Sequence, residues 1–307
     1  MLICVGVITF IIALGILLYP LISTWYNGRH QSEIQTQYQQ MLEQVDDTRI
    51  RNAWDHAHAY NKAIRPGTKM MDGFSEDALA NAAADYHSQL NLTGDGIMGY
   101  IKIPSIRVDL PIYHGTEDMT LEKGVGHLLG TSLPVGGEST HSVLTGHSGM
   151  AGKKMFSDVL QMRLGDVFYL EVLGETLAYQ VDQINTVLPH DTSYLGNLEG
   201  QDHCTLVTCT PFGVNTHRLL VRGIRIPYEE AEQIVEDTKD EDLPMSKWEQ
   251  EYIKGIFIGL GGVAAVASAS WLICWIRRRC CKRRTHEEES LYLCFHGRRL
   301  GRGAGTD

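Results

Sequence analysis

Residues 205–223 read TLVTCTPFGVNTHRLLVRG. The β-branched run from Cys204 to Cys209 predicts a strand. Thr210-Pro211-Phe212-Gly213 is a turn sequence. His217-Arg218-Leu219-Leu220-Val221-Arg222 then begins a second strand, and two strands joined this way can pair antiparallel. Cys209 ends the first strand and Arg218 begins the second, so the hairpin can set a thiol beside a guanidinium. A neighbouring cation favours thiolate and can hydrogen-bond a developing oxyanion. Spacing alone leaves Arg218 open between that role and the role of an ordinary strand arginine. Arg222 and Arg225 are expected to face solvent or pair with acids.

Cysteine usage singles out the same thiol. Of the seven cysteines, Cys4 and Cys274 fall in apolar stretches, and Cys280, Cys281 and Cys294 follow the second of these. Only Cys204 and Cys209 lie between the stretches. Five residues of strand separate Cα atoms by roughly 16 Å. A disulfide needs them within about 7 Å. Both thiols are therefore expected to be free. Cys204 reads as a buried apolar cysteine. Cys209, at a strand end beside a turn, reads as the reactive one.

The two apolar stretches frame this region. Leu2 to Ile22 and Ile253 to Ile276 each have about the 20 residues that a bilayer requires, and neither holds an acidic group. Trp248, Tyr252, Trp271 and Trp275 cluster near the ends of the second, as interfacial aromatics do. RRRCCKRR, Arg277 to Arg284, follows it with six basic residues, which hold that side in the cytoplasm. Both termini are then cytoplasmic and the segment between is extracellular. No small-residue cleavage site follows the first stretch, so it is expected to stay as an anchor. Between residues 27 and 252 there are 17 Lys+Arg against 33 Asp+Glu. With a whole-chain net charge of -10, this argues against a general nucleic-acid binder.

Within that acidic segment, residues from about 31 to 64 are polar and helix-forming, with Ile34, Tyr38, Met41, Leu42 and Val45 at irregular helical spacing. Arg65-Pro66-Gly67 stops the helix. A loop with Asp72-Gly73-Phe74 follows, and Ser75 begins a second helix running to about Leu90. From Ile97 the chain turns to short strands, at 97–103, 108–113, 141–146, 167–173, 177–184, 204–209 and 217–226. Many short strands with Gly/Pro-rich turns argue a closed or sandwich β architecture. Residues 167–172 alternate as a half-buried strand does. Lys153 to Leu160 reads as one short helix, and 229–251 as an acidic helical connector.

A cysteine nucleophile needs a proton-transfer partner. His114, His127, His141, His147, His190, His203 and His217 all lie between the spans, and spacing does not choose among them. No metal-ligating constellation appears there, so neither a metal nor another cofactor is expected.

TLVTCTPFGVNTHRLLVRG (205–223) resembles the sortase signature, Thr-Leu-x-Thr-Cys with an arginine nine residues on. GYIKIPSIRVDLPIYHGT (99–116), GVGHLLGTSLPVGGESTHSVLTGHSG (124–149) and GDVFYLEVLGETLAYQVDQI (165–184) resemble the rest of a class C, pilin-polymerising sortase domain. The resemblance implies a mostly β fold, an eight-stranded β-barrel with an N-terminal helical and lid region and flanking transmembrane helices. It implies Cys209 as nucleophile, His147 as acid/base and Arg218 as the cation on the oxyanion side. Asp72 and Phe74 take the places of a lid whose usual central proline is here Gly73. HSGMAGKKMF (147–156) lacks the family's usual basic residue after the histidine.

The expected organisation is a membrane anchor at 1–26, a helical region and lid loop at 27–95 and the catalytic barrel at 96–228. An acidic juxtamembrane linker at 229–252, a transmembrane helix at 253–276 and a basic cytoplasmic tail at 277–307 complete it. The implied reaction cleaves a Leu-Pro-x-Thr-Gly-like sorting signal between Thr and Gly through a thioacyl enzyme. The acyl group is then joined to a lysine of another pilin subunit as an isopeptide bond. The implied partners are pilin subunits and the lipid bilayer. Two other readings fit parts of the pattern: a housekeeping sortase that anchors proteins to cell-wall peptide, and a non-catalytic pilus-assembly scaffold.

Overall fold

The computed structural model describes residues 2–64, 85–150, 153–238, 250, 252–266 and 268–276. Two compact units divide the chain, Met1–Lys247 and Trp248–Asp307. The first unit begins with two helices, α1 (Leu2–Glu43) and α2 (Asp47–Ala63). Eight strands follow: β1 (Ile97–Ile103), β2 (Val108–His114), β3 (Val125–His127), β4 (Thr140–Thr145), β5 (Val167–Val172), β6 (Glu175–Val187), β7 (Asp202–Thr210) and β8 (His217–Ile226). A short helix, α3 (Asp118–Leu121), lies between β2 and β3, and α4 (Tyr228–Asp237) follows β8.

The strands close into a barrel in the order β1-β2-β3-β4-β7-β8-β6-β5, with β5 returning to β1. Two pairs are parallel, β2 with β3 and β4 with β7. The other six pairs are antiparallel. The interior is filled by one large apolar cluster that includes Ile101, Leu144, Phe168, Leu170, Tyr179, Leu206 and Val221. Phe168 and Tyr179 stack at 5.5 Å, and Gly223 leaves the space they occupy, because a Cβ there would stand 2.6 Å from the Phe168 ring.

The helices dock on this barrel through few, specific contacts. Tyr38 and Leu42 of α1 are buried, and Ile34 packs beside them, so residues 34, 38 and 42 form an i, i+4, i+8 stripe. Asn61 of α2 is buried and clamps the backbone of one residue, Leu133. Its Nδ2 donates to the Leu133 carbonyl at 3.1 Å, and its Oδ1 accepts from the Leu133 N–H at 2.7 Å. A helical turn at 85–88 carries the fully buried Tyr86. The Tyr86 hydroxyl accepts from the Gly115 N–H at 2.9 Å and donates to the His127 carbonyl at 3.0 Å.

Several elements differ from expectation. The helical stretch expected over 31–64 is two helices, broken at residues 44–46, with Asp46 in an extended conformation ahead of α2. α1 runs without interruption across residue 26 to Glu43. The helix expected over Lys153–Leu160 is a 3-10 turn at Ser157–Gln161. β3 was absent from the expected strands: three residues in a glycine-rich run carry no readable alternation. Val167, which alternation sets on the face opposite Phe168, Leu170 and Val172, is buried as they are, because it packs with Ala178 and with Ala231 of α4. Of the helix expected from Ser75, residues 75–84 lie outside the described residues, as do Asp72, Phe74 and the tail 277–307.

In the second unit, a 25-residue helix, α5 (Tyr252–Ile276), has a mean hydropathy of 2.0 and is not buried by the rest of the chain. At 1.5 Å per residue it spans about 37 Å, enough for a bilayer core.

Candidate active site

Strand alternation sorts the residues around β4, β7 and β8 onto two faces. Leu144, Cys204, Leu206, Leu219 and Val221 point into the barrel and belong to its central cluster. Val143, Val207 and Leu220 point outward and form a satellite cluster with Val187 of β6, covered by Leu128 and Leu195. Cys209 lies two residues beyond Val207 and Arg218 two before Leu220, so both belong to the outward face.

Three residues in this row come together through register. Cys209 and Arg218 are direct partners in the β7–β8 ladder, and Arg218 is in turn the partner of Val187 in the β6–β8 ladder. On the other side of β7, the parallel ladder with β4 ends at Thr145 and Val207. Continuing that register by two residues sets His147 beside Cys209. Parallel neighbours lie about 4.8 Å apart. The continuation is held by hydrogen bonds: the Gly146 N–H donates to the Val207 carbonyl at 3.0 Å. The Thr208 hydroxyl donates to the Gly146 carbonyl at 2.9 Å, and the Ser148 hydroxyl to the Cys209 carbonyl at 2.8 Å.

His147 is fixed from behind as well. Its carbonyl accepts from the Phe156 N–H at 3.0 Å, and Gly146 lies against the Phe156 ring. The next turn is closed by the Gly149 N–H donating to Ser157 Oγ at 2.9 Å. His147, Cys209 and Arg218 are all half-buried. The Arg218 Nη1 donates to the carbonyls of Asn215 at 3.2 Å and His217 at 3.1 Å. No carboxylate among the described residues forms an ion pair with it. Beside the row, the β7–β8 loop exposes Phe212 and Val214, and Phe212 lies against Gly149.

The other histidines have other employment. Burial pushes His127 down to about 4, because an imidazolium there would lose its hydration. His141 is likewise lowered to about 4; its Nδ1 meets the Gly196 carbonyl at 3.0 Å and its Nε2 the Thr205 hydroxyl at 2.7 Å. Burial also lowers His114 and His203. His190 is exposed, and His217, by alternation, points to the opposite face from Cys209.

The two cysteines separate as well. Cys204 is fully buried, and burial raises its thiol well above the usual value, so it stays protonated. Neither cysteine is in a disulfide. Arg222 pairs with Asp182, and Arg225 lies over the Tyr179 ring at 5.5 Å, which leaves Arg218 as the arginine of this hairpin beside the thiol. Among the described residues no group of three or more His, Cys, Asp or Glu side chains is placed to hold a metal. Asp72 and Phe74 lie outside the described residues. Ser148 and Thr208 were not singled out by sequence; the available signal was their position beside His147 and Cys209.

Known proteins carry the same arrangement of chain. The family model for the sortase domain matches residues 101–226. The crystal structure of sortase C1 from Streptococcus agalactiae is similar at 45% identity and a TM-score of 0.58, covering 62% of this chain and 97% of that one. That of sortase C-1 from Actinomyces oris is similar at 46% identity and a TM-score of 0.52, covering 58% of this chain and 99% of that one. Among curated relatives, Sortase A of Streptococcus agalactiae is 28% identical over 117 residues, 37% of this chain and 47% of the relative. Sortase D of Bacillus subtilis is 30% identical over 131 residues, 42% of this chain and 63% of the relative. The chain thus matches about half to just under two thirds of those curated relatives. An eight-stranded barrel, a cysteine opposed to an arginine at its open ladder end, and 45% identity across nearly all of a solved sortase lead to one assignment: this chain is a member of the sortase family.

Proposed function

We propose that this protein is a membrane-anchored cysteine transpeptidase of the class C type, which joins pilin subunits through an isopeptide bond. The observation that carries the proposal is the pairing of Cys209 with Arg218 across β7 and β8, with His147 two residues past the end of β4, the strand on the other side of β7. The similarity to sortase C1 of Streptococcus agalactiae and to sortase C-1 of Actinomyces oris supports the class.

In the proposed reaction the Cys209 thiolate attacks the Thr carbonyl of a Leu-Pro-x-Thr-Gly-like signal. Arg218 donates to the tetrahedral oxyanion. His147 gives its proton to the leaving Gly amine as the C–N bond breaks, and the Thr acyl group stays on sulfur as a thioester. A lysine amine of a second subunit then attacks the thioester. His147 takes the amine proton, the amide bond forms and the thiolate leaves. Asp72 and Phe74, which lie outside the described residues, are proposed to take the places of the family's lid residues.

Anchoring by α5 and by the apolar half of α1 supports a reaction at the outer membrane surface. In α1, Ile11, Leu14, Ile16, Leu17, Leu18, Tyr19 and Ile22 are all exposed. In α5, Phe257, Ile258, Leu260 and Val263 are exposed likewise. A helix that is apolar all round needs an apolar surrounding.

The test is mass spectrometry of the detergent-solubilised chain mixed with a Leu-Pro-x-Thr-Gly peptide. A thioester on Cys209 that is absent from Cys209→Ala is the expected result. Incubation with pilin subunits should then give a ladder of high-mass products. A single product linked to cell-wall peptide would point to housekeeping anchoring, and acyl transfer by Cys209→Ala would end the assignment.

A further inference from the structure

The parallel ladder between β4 and β7 stops one rung short of the site. Thr145 and Val207 are its last partners, yet His147 and Cys209 lie two residues further along. Carbonyls two residues apart on a strand point the same way. The Val207 carbonyl accepts from the Gly146 N–H, so the Cys209 carbonyl also points toward the β4 side. Had the ladder run on, the Ser148 N–H would have met it. The chain instead turns away at Gly149, whose φ is +80°. The Ser148 side chain makes the contact in its place, its hydroxyl donating to the Cys209 carbonyl at 2.8 Å.

We infer that Ser148 is a positioning residue for the proposed transpeptidation, a side-chain rung that fixes the spacing between His147 and Cys209. The inference rests on the reading of those two residues as acid/base and nucleophile. Ser148 is joined covalently to His147 and by hydrogen bond to the peptide unit of Cys209. One hydroxyl therefore spans the gap between the proposed nucleophile and the proposed acid/base. Thr208 makes a neighbouring contact, to the Gly146 carbonyl, but from the barrel side and fully buried. Its loss would be felt in folding. Ser148 is half-buried at the rim, where a lost hydroxyl costs little stability but frees the His147 backbone to drift. A misplacement of about 1 Å at reacting groups can cost on the order of a hundredfold in rate.

The experiment compares the full chain in detergent with Ser148→Ala, Ser148→Thr, Thr208→Val and Cys209→Ala. Ser148→Ala should slow single-turnover thioester formation by about tenfold or more, with KM changed by less than about twofold. Ser148→Thr, which keeps the hydroxyl, should restore most of the rate. Thr208→Val should lower the unfolding midpoint, which Ser148→Ala should not. The pH midpoint of Cys209 alkylation by iodoacetamide, which needs no substrate, should shift in Ser148→Ala and return in Ser148→Thr. A wild-type acylation rate in Ser148→Ala, or a Ser148→Thr as slow as Ser148→Ala, overturns the positioning role alone. Absence of thioester from the wild type, or its presence in Cys209→Ala, overturns the functional reading and this inference with it.

Discussion

Cys209 and Arg218 face each other across the β7–β8 ladder, one rung from the turn that joins the two strands. Opposed residues of an antiparallel pair have Cα atoms about 4.5–5.5 Å apart and side chains on the same face. The pairing is set by backbone hydrogen bonds along both strands rather than by the side chains themselves. Replacing Arg218 should therefore leave the fold intact. Among the described residues its guanidinium bonds to the carbonyls of Asn215 and His217 at the rim, so Arg218→Ala should change stability by less than about 0.5 kcal/mol. If it serves the oxyanion, kcat for thioester formation should fall about 10²–10³-fold. Arg218→Lys should recover only part of this, because an ammonium lacks the planar fork. Single-turnover acylation beside a urea titration checks both halves.

The two cysteines of the barrel should react in separate steps. In the folded protein iodoacetamide should label Cys209, which is half-buried at the strand end, while Cys204, buried and held protonated, stays unlabelled. Addition of denaturant should expose Cys204. Peptide mapping by mass spectrometry reads the order, and early labelling of Cys204 would contradict the packing described for β7.

Gly146 has a contact that no other residue can keep. A Cβ at this position would stand 2.6 Å from the Phe156 ring, whose backbone in turn holds the His147 carbonyl. Gly146→Ala should destabilise by about 1–3 kcal/mol through overpacking. Acylation should slow as well, since Phe156 cannot move without carrying His147. A urea midpoint equal to that of the wild type would show that the ring has room to yield.

Acid should weaken the barrel through its buried histidines. His127 and His141 are held near 4, against about 6.5 for an unfolded chain. As pH falls below about 6.5 the unfolded state takes up protons that the folded state refuses. The stability these neutral rings contribute is complete above that value and is lost between about 6.5 and 4, on the order of 3 kcal/mol per ring. Urea midpoints measured at pH 7.5 and 4.5 should fall accordingly; equal midpoints would mean that these rings are hydrated.

Asn61 joins the N-terminal helices to the barrel through the backbone N–H and carbonyl of one buried residue, Leu133. Asn61→Ala should leave the Leu133 N–H and carbonyl without partners, at a cost of about 2–4 kcal/mol. Asn61→Asp, which turns a carboxylate oxygen toward the Leu133 carbonyl in a buried site, should be at least as destabilising. Thermal unfolding of the three proteins gives the ranking.

Much of this was readable from sequence because short-range patterns carry it. Two strands, at 97–103 and 217–226, fall where alternation and turn residues place them. The opposition of Cys209 and Arg218 follows from a hairpin. The neighbourhood of His147 does not. β4 and β7 are parallel and distant in sequence, and nothing in either stretch announces their register. The same holds for Ser148, whose contact depends on where the β4 backbone turns aside. β3 escaped because three residues flanked by glycines give no period. The burial of Val167 depended on α4, which strand alternation does not foresee.

The closed ring of strands has an evolutionary corollary. β7 and β8, which bear Cys209 and Arg218, are each hydrogen-bonded along both of their sides, so neither residue borrows its place from a connecting loop; His147 lies two residues past the end of β4. The Cα spacing of Cys209 and Arg218 is thus a property of the ladder, and sequence change at the exposed tip of the 211–216 segment, Phe212 and Val214, can accumulate without altering it.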